Sequence, residues 1–176
     1  MAKVLYSATM SLDGYISGPG GDMSWMAPYS GRNPTARDLA TRTGALLVGR
    51  RTYFGDDPNQ GTDAEGAFGG KWHGQQFVLT HEPPVEIPPD TTFVTDLTSA
   101  VEAAKDAAGD KYVCVLGADV ARQALAAGLV DEVLTFIAPV LLGDGTRLFT
   151  GSPVRLEPLT QKEHPSAAEL WYRVIR

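Results

Sequence analysis

The stretch YVCVLGADVARQALAAGLVDEVLTFIAPVLL, residues 112–142, decides the fold. Tyr112–Leu116 is a short, wholly apolar run, as expected of a strand buried on both faces. Gly117 follows it. Ala118–Ala127 then reads as a helix of Ala, Leu and Arg that stops at Gly128. Glu132–Leu142 is long and β-rich, and Pro139, which donates no ladder hydrogen bond, predicts a bulge or an edge there. Strand, glycine turn, helix and strand in this succession form a crossover unit of a parallel sheet.

The same alternation extends outward. Val4–Thr9, Ala45–Val48, Gln76–Leu79 and Thr92–Val94 read as further short strands. Asn33 as N-cap and Pro34 as first helical residue open a helix through Leu39. Thr98 is placed to cap Ser99–Ala108, with Glu102 early enough to suit the helix dipole. The run EPPVEIPPD, residues 82–90, cannot lie in a central sheet, and residues 55–74 lack periodicity and read as loop. Val154–Glu163 and Glu169–Ile175 alternate with period two, as in a final antiparallel pair. The expectation is one α/β domain over residues 1–176, its sheet mostly parallel with an antiparallel C-terminal edge.

Composition narrows the function. A chain that is 43% hydrophobic and 20% charged suits a packed globule. A net charge of −6 with no basic stripe argues against nucleic acid or an anionic membrane as main partner. The lone Cys114 reads as a small buried hydrophobe, and one cysteine permits no internal disulfide, which suits a reducing compartment. MAKVLYSATM holds no signal-peptide core and no run approaches a membrane span, so the reading is cytoplasmic.

Ligands of open α/β sheets gather at the carboxyl ends of strands. In MSLDGYISGPGGDM, residues 10–23, Asp13 follows the first strand beside glycines: it either caps a turn or edges a ligand site. Gly49-Arg50-Arg51-Thr52 follows the second strand and holds the chain's only adjacent pair of cations. Thr52 can cap a helix whose amides point at an anion; the alternative is a turn with two solvated arginines. Thr80-His81 puts a hydroxyl and an imidazole at another strand end. Gly117-Ala118-Asp119 is a single-glycine turn into a helix, weaker than a G-x-G-x-x-G fingerprint. Asp131-Glu132 reads as a helix-to-strand junction, since neighbours on a strand face opposite ways. C-x-x-C, H-E-x-x-H, G-x-S-x-G and the P-loop motif are absent, and His73, His81 and His164 lack metal-ligand spacing. A positive notch without a nucleophile suits an enzyme whose cofactor, a phosphate-bearing dinucleotide, performs the hard step.

The ordered segments MSLDGYI, LLVGRRTY, FVLT and GLVDEVLTFIAPVLLGDGTRLF resemble the dihydrofolate reductase-like superfamily. The branch is that of stand-alone proteins similar to the reductase domain of the bifunctional riboflavin-biosynthesis deaminase/reductase. The likeness covers roughly residues 3–175. It implies a mixed central sheet of about eight strands flanked by helices, NADPH as hydride donor, and a homodimer. It assigns Gly49, Arg50, Arg51 and Thr52 to the cofactor phosphates. Thr80 and His81 fall near the adenosine phosphate, and Gly117, Ala118 and Asp119 at the pyrophosphate, with Ala118 where relatives commonly carry a second glycine. Ala138-Pro139-Val140 and the Gly143–Gly145 turn fall by the nicotinamide or a dimer contact. Asp13 matches an acid near the substrate, and Asp38 stands where dihydrofolate reductases place theirs. On this reading the substrate stacks beneath Trp25 or Tyr53, and Asp13 hydrogen-bonds it or feeds it a proton. The deaminase signature, H-x-E with P-C-x-x-C, is absent, which excludes that chemistry. The implied activity is NADPH-dependent reduction of a small pterin- or pyrimidine-like heterocycle. A second reading is reduction of 5-amino-6-(5-phosphoribosylamino)uracil, which needs another phosphate site; Arg32, Arg37 and Arg42 are scattered candidates. A reading of another class is a nucleotide-binding module without turnover.

Overall fold

A computed structural model of the chain describes residues 1–31, 33–55, 57 and 59–176; Arg32, one of the scattered arginines, lies outside them. Ten strands occur among the described residues. They are β1 (Val4–Ser11), β2 (Tyr15–Ser17), β3 (Thr43–Gly49), β4 (Gln75–Leu79), β5 (Thr91–Val94), β6 (Tyr112–Leu116), β7 (Glu132–Ala138), β8 (Thr146–Arg147), β9 (Arg155–His164) and β10 (Ala167–Ile175). The helices are α1 (Pro34–Arg42), α2 (Arg50–Tyr53), α3 (Ala67–Gly70), α4 (Leu97–Ala108) and α5 (Ala118–Ala126). Two 3-10 segments, Pro19–Gly21 and Ser24–Tyr29, lie between β2 and α1.

Eight strands form one sheet in the order β5-β4-β3-β6-β1-β7-β10-β9, while β2 and β8 pair apart from it. The six strands from β5 to β7 run parallel, and β10 and β9 join antiparallel at the C-terminal edge. The expected mixed sheet with helices on both faces is what the chain forms. The central strands bury apolar residues on both faces because both are covered. Val4, Tyr6, Ala45, Leu47, Val113 and Val115 face α4 and α5. Leu5, Leu46, Val48 and Cys114, one residue out of phase, face α1 and Trp72. Burying each Leu or Val contributes about 1.5–3 kcal/mol, so this double layer dominates the stability. Cys114 is fully buried, with its thiol pushed up to about 12 by desolvation; it packs as a hydrophobe.

The junction after α5 is structural, as its two acids face apart. Asp131 accepts the Val4 amide at 2.9 Å. Glu132, 4% exposed, accepts from Lys3 at 2.8 Å, Tyr112 at 3.0 Å and Trp171 at 2.8 Å. This fully hydrogen-bonded carboxylate knots β1, β6, β7 and β10 at the end of the sheet opposite the strand carboxyl ends.

Local expectations hold where side-chain chemistry is self-contained. Asn33 caps α1, its Oδ1 accepting the Ala36 amide at 3.0 Å. Three expectations are corrected. Asp96, not Thr98, caps α4, accepting the Ser99 amide at 2.8 Å, so the helix starts earlier. β7 does not run to Leu142: it ends at Ala138, and a tight turn about Pro139 brings the Val140 amide to the Ala138 carbonyl at 2.8 Å. Thr52 is not a cap; Gly49 holds that position and Thr52 lies inside α2.

Candidate active site

A cleft of about 2520 Å³ runs along the carboxyl ends of the strands. Its size exceeds the roughly 300–1,000 Å³ of a single small-ligand pocket and leaves room for a dinucleotide beside a second molecule. One wall is the turn from β3 into α2: Gly49, Arg50, Arg51, Thr52 and Tyr53 all line the cleft. Thr80 and His81, after β4, continue it, and Gly117, Ala118 and Asp119 bring in the start of α5. The structure therefore gathers onto one rim nine of the ten residues expected at a cofactor, with Tyr53 beside them.

The rim gathers backbone amides and guanidinium groups. The N-terminus of α5 has no side-chain cap, which leaves amides directed outward. Gly117 has φ +103, and a Cβ there would collide with the Thr52 hydroxyl. Glycine is thus required for α2 and α5 to approach so closely. Arg51 enters no ion pair among the described residues, whereas Arg50 pairs with Glu82 at 3.0 Å and lies over the Phe54 ring. Asp119 turns onto its own helix, accepting from Arg122 at 2.9 Å and Gln123 at 3.0 Å. The Arg122 hydrogen bond holds its carboxyl below the usual range. Thr80 uses its hydroxyl internally, accepting the Glu82 amide at 3.1 Å.

Four expected residues are not brought to the cleft lining. Asp13 clamps two loops: its carboxylate accepts the Leu142 amide at 3.0 Å, the Gly143 amide at 2.7 Å and the Ser11 hydroxyl at 2.6 Å. The Ser11 bond first, then the Leu142 amide, hold its carboxyl down to about 2. Such an acid is a poor proton donor at neutral pH, and its capping role is the one the geometry supports. Asp38 sits on the outer face of α1, ion-paired at 3.3 Å with Arg42 one turn on, while Thr35 and Leu39 take the buried face. Pro139 is exposed beyond β7. Trp25 is off the cleft because its segment is a 3-10 helix with about three residues per turn. Met23, Met26 and Tyr29 recur at that spacing and line the cleft in its place.

Other residues of this region were not anticipated. Phe136 of β7 and Phe68 of the short α3 turn line the cleft. Behind it, Glu169 is 0% exposed and lies 2.6 Å from the His164 ring and 3.5 Å from Lys162. Burial pushes its carboxyl up, but the His164 and Thr35 hydrogen bonds and the Lys162 charge outweigh this and hold it below the ordinary value. The signal was present in period two: Glu169 and Trp171 share the buried face of β10. Among the described residues no helix is long and apolar enough to cross a membrane.

The fold is that of a class of α/β domains with a mostly parallel sheet, an antiparallel C-terminal edge and a cleft at the strand carboxyl ends. The model of the RibD C-terminal domain family matches residues 2–169, and the chain belongs to that family. Over 154 residues it is 27% identical to the uncharacterized protein YyaP of Bacillus subtilis (strain 168), covering 84% of this chain and 80% of YyaP. The solved structure of a Shewanella sp. PV-4 protein, provisionally assigned to riboflavin biosynthesis, is similar with a TM-score of 0.74 at 24% identity, over 100% of both chains. The riboflavin biosynthesis reductase Rib7 of Saccharomyces cerevisiae is similar with a TM-score of 0.67 at 17% identity, over 99% of this chain and 90% of that one. At these identities the two structures speak for the fold.

Proposed function

We propose that the protein is an NADPH-dependent reductase of a small heterocycle. The observation that carries this is the rim where Arg51, the α2 turn and the uncapped start of α5 converge on one cleft. These groups fit a dinucleotide: bare amides and a guanidinium for the phosphates, and a Gly117 turn that lets backbone approach closely. When bound, NADPH supplies the hydride. Arg51 and the amides at Gly117-Ala118 would hold its phosphates, and His81 and Arg50 would meet its adenosine part. Tyr53 and Phe136 shape the apolar floor on which donor and acceptor meet. Asp13 is assigned no chemical part, and water entering the open cleft delivers the proton.

Reduction of 5-amino-6-(5-phosphoribosylamino)uracil, the activity named for a deaminase/reductase of Thermotoga maritima, is the second reading. Arg37 and Arg147 favour it, since both line the cleft and are placed to meet a substrate phosphate, whereas Arg42 is held by Asp38. The same proposal makes the protein a cytoplasmic homodimer, pairing through the exposed edge strand β9. The test is to follow NADPH absorbance with pterin, pyrimidine and quinone acceptors. Consumption with any of them is expected. Tight NADPH binding without consumption would instead mark a nucleotide-binding module.

A further inference from the structure

Phe68 is the only non-glycine residue with positive φ among the described residues, at φ 55. Left-handed backbone is unfavourable for a bulky aromatic residue. The neighbouring left-handed positions, Gly66, Gly69 and Gly70, are glycine. At position 68 the chain instead carries a ring in a strained conformation, and that ring lines the cleft. Strain held beside a cleft points from the outlier to a function.

Hydrogen bonds among the described residues tie the segment before Phe68 together. Asp57 accepts the Asn59 amide at 2.8 Å and the Gly66 amide at 2.7 Å, closing the loop on itself. Glu65 accepts the Gly61 amide at 2.8 Å. Trp72 donates to the Thr43 carbonyl at 3.0 Å and pins the loop's exit to β3. Phe68, like Ala36 and Tyr53, packs half-buried against the core layer that faces α1. The phosphate rim is shared between α5, whose buried side packs on the opposite face of the sheet, and α2, whose Tyr53 packs against the same layer as Phe68. Phe68 therefore flanks the cleft on the α1 face of the sheet, across from α5.

We propose that Phe68 is the substrate wall of the cleft, and that the second ligand is a planar unsaturated heterocycle stacked on its ring. This rests on the reductase reading. Its occupant is flat because a fixed aromatic face rewards stacking and offers no directional polar group. Met23, Met26 and Tyr29 also line the cleft, and methionine adapts to ring systems of differing outline.

Calorimetric titration of the NADPH-loaded protein with lumazine and dihydrofolate tests this. Phe68→Gly suits the backbone and removes the ring; Phe68→Tyr keeps the ring. At least one probe should bind the wild type. Phe68→Gly should weaken that binding by about tenfold or more, as removal of a stacked ring does, with NADPH affinity unchanged and Phe68→Tyr close to wild type. Retained affinity in Phe68→Gly, an equal loss in Phe68→Tyr, or no binding of any probe to the loaded wild type would overturn the proposal. Failure of NADPH itself to bind the wild type would instead remove the reductase reading.

Discussion

At the scale of single residues, charge placement separates the groups that face the cleft from those that brace it. Arg51 is the rim guanidinium that enters no ion pair among the described residues. Arg51→Ala should lower NADPH affinity by about 10-fold or more, the worth of a charge-assisted hydrogen bond, and lower NADH affinity less if Arg51 reads the extra phosphate. Competitive binding measurements with the two nucleotides check this. Asp13 makes the opposite case. In Asp13→Asn the amide NH2 would confront one of the two backbone donors from Leu142 and Gly143. The melting temperature should fall while NADPH affinity and turnover hold, and a slowed turnover at unchanged stability would restore a chemical role. The cation pair and glycine of the rim were legible because residue type alone announces them. The fate of Asp13 was not, because its partners lie 129 and 130 residues away.

At the scale of elements, the termini set the shape of the cleft. The start of α1 contributes Asn33, Pro34, Ala36 and Arg37 to the lining, and Asn33 fixes where that turn begins. Asn33→Ala should cost about 1 kcal/mol and lower the melting temperature by about 2–4 °C. It should raise KM more than it lowers kcat, which steady-state kinetics separates. The Asn33-Pro34 start could be read directly from sequence, as could the strands buried on both faces. The start of α4 was misread because Asp96 and Thr98 are both competent caps, and only the backbone decides between them. The Ser24–Tyr29 segment was misread for want of a period: a short 3-10 stretch containing Pro28 shows neither 3.6 nor 2, and so Trp25 was preferred to Met23, Met26 and Tyr29.

At the scale of the molecule, strand order brings the rim together, since β3, β4 and β6 become neighbours only in the folded sheet. The class of sheet was legible from alternating strands and helices. Its order, with β1 in the interior and β10 beside β7, was not, because long-range pairing leaves no local mark. Two buried carboxylates brace the antiparallel side, Glu132 and Glu169, and both are held below their ordinary value of 4.5. A lowered native value means that the unfolded chain binds protons first. Their stabilisation is therefore complete above about pH 4.5 and is lost as pH falls through the native values. Urea midpoints should drop steeply from pH 5 to pH 3, and less steeply in Glu169→Gln. The central claim, a nicotinamide dinucleotide on the Arg51 rim, is tested most directly by the thermal stability of the wild type with NADPH. At ~100 times its dissociation constant the nucleotide should add about 2.7 kcal/mol and raise the melting temperature by about 5–11 °C. An unchanged melting temperature with millimolar NADPH and NADH alike would contradict it.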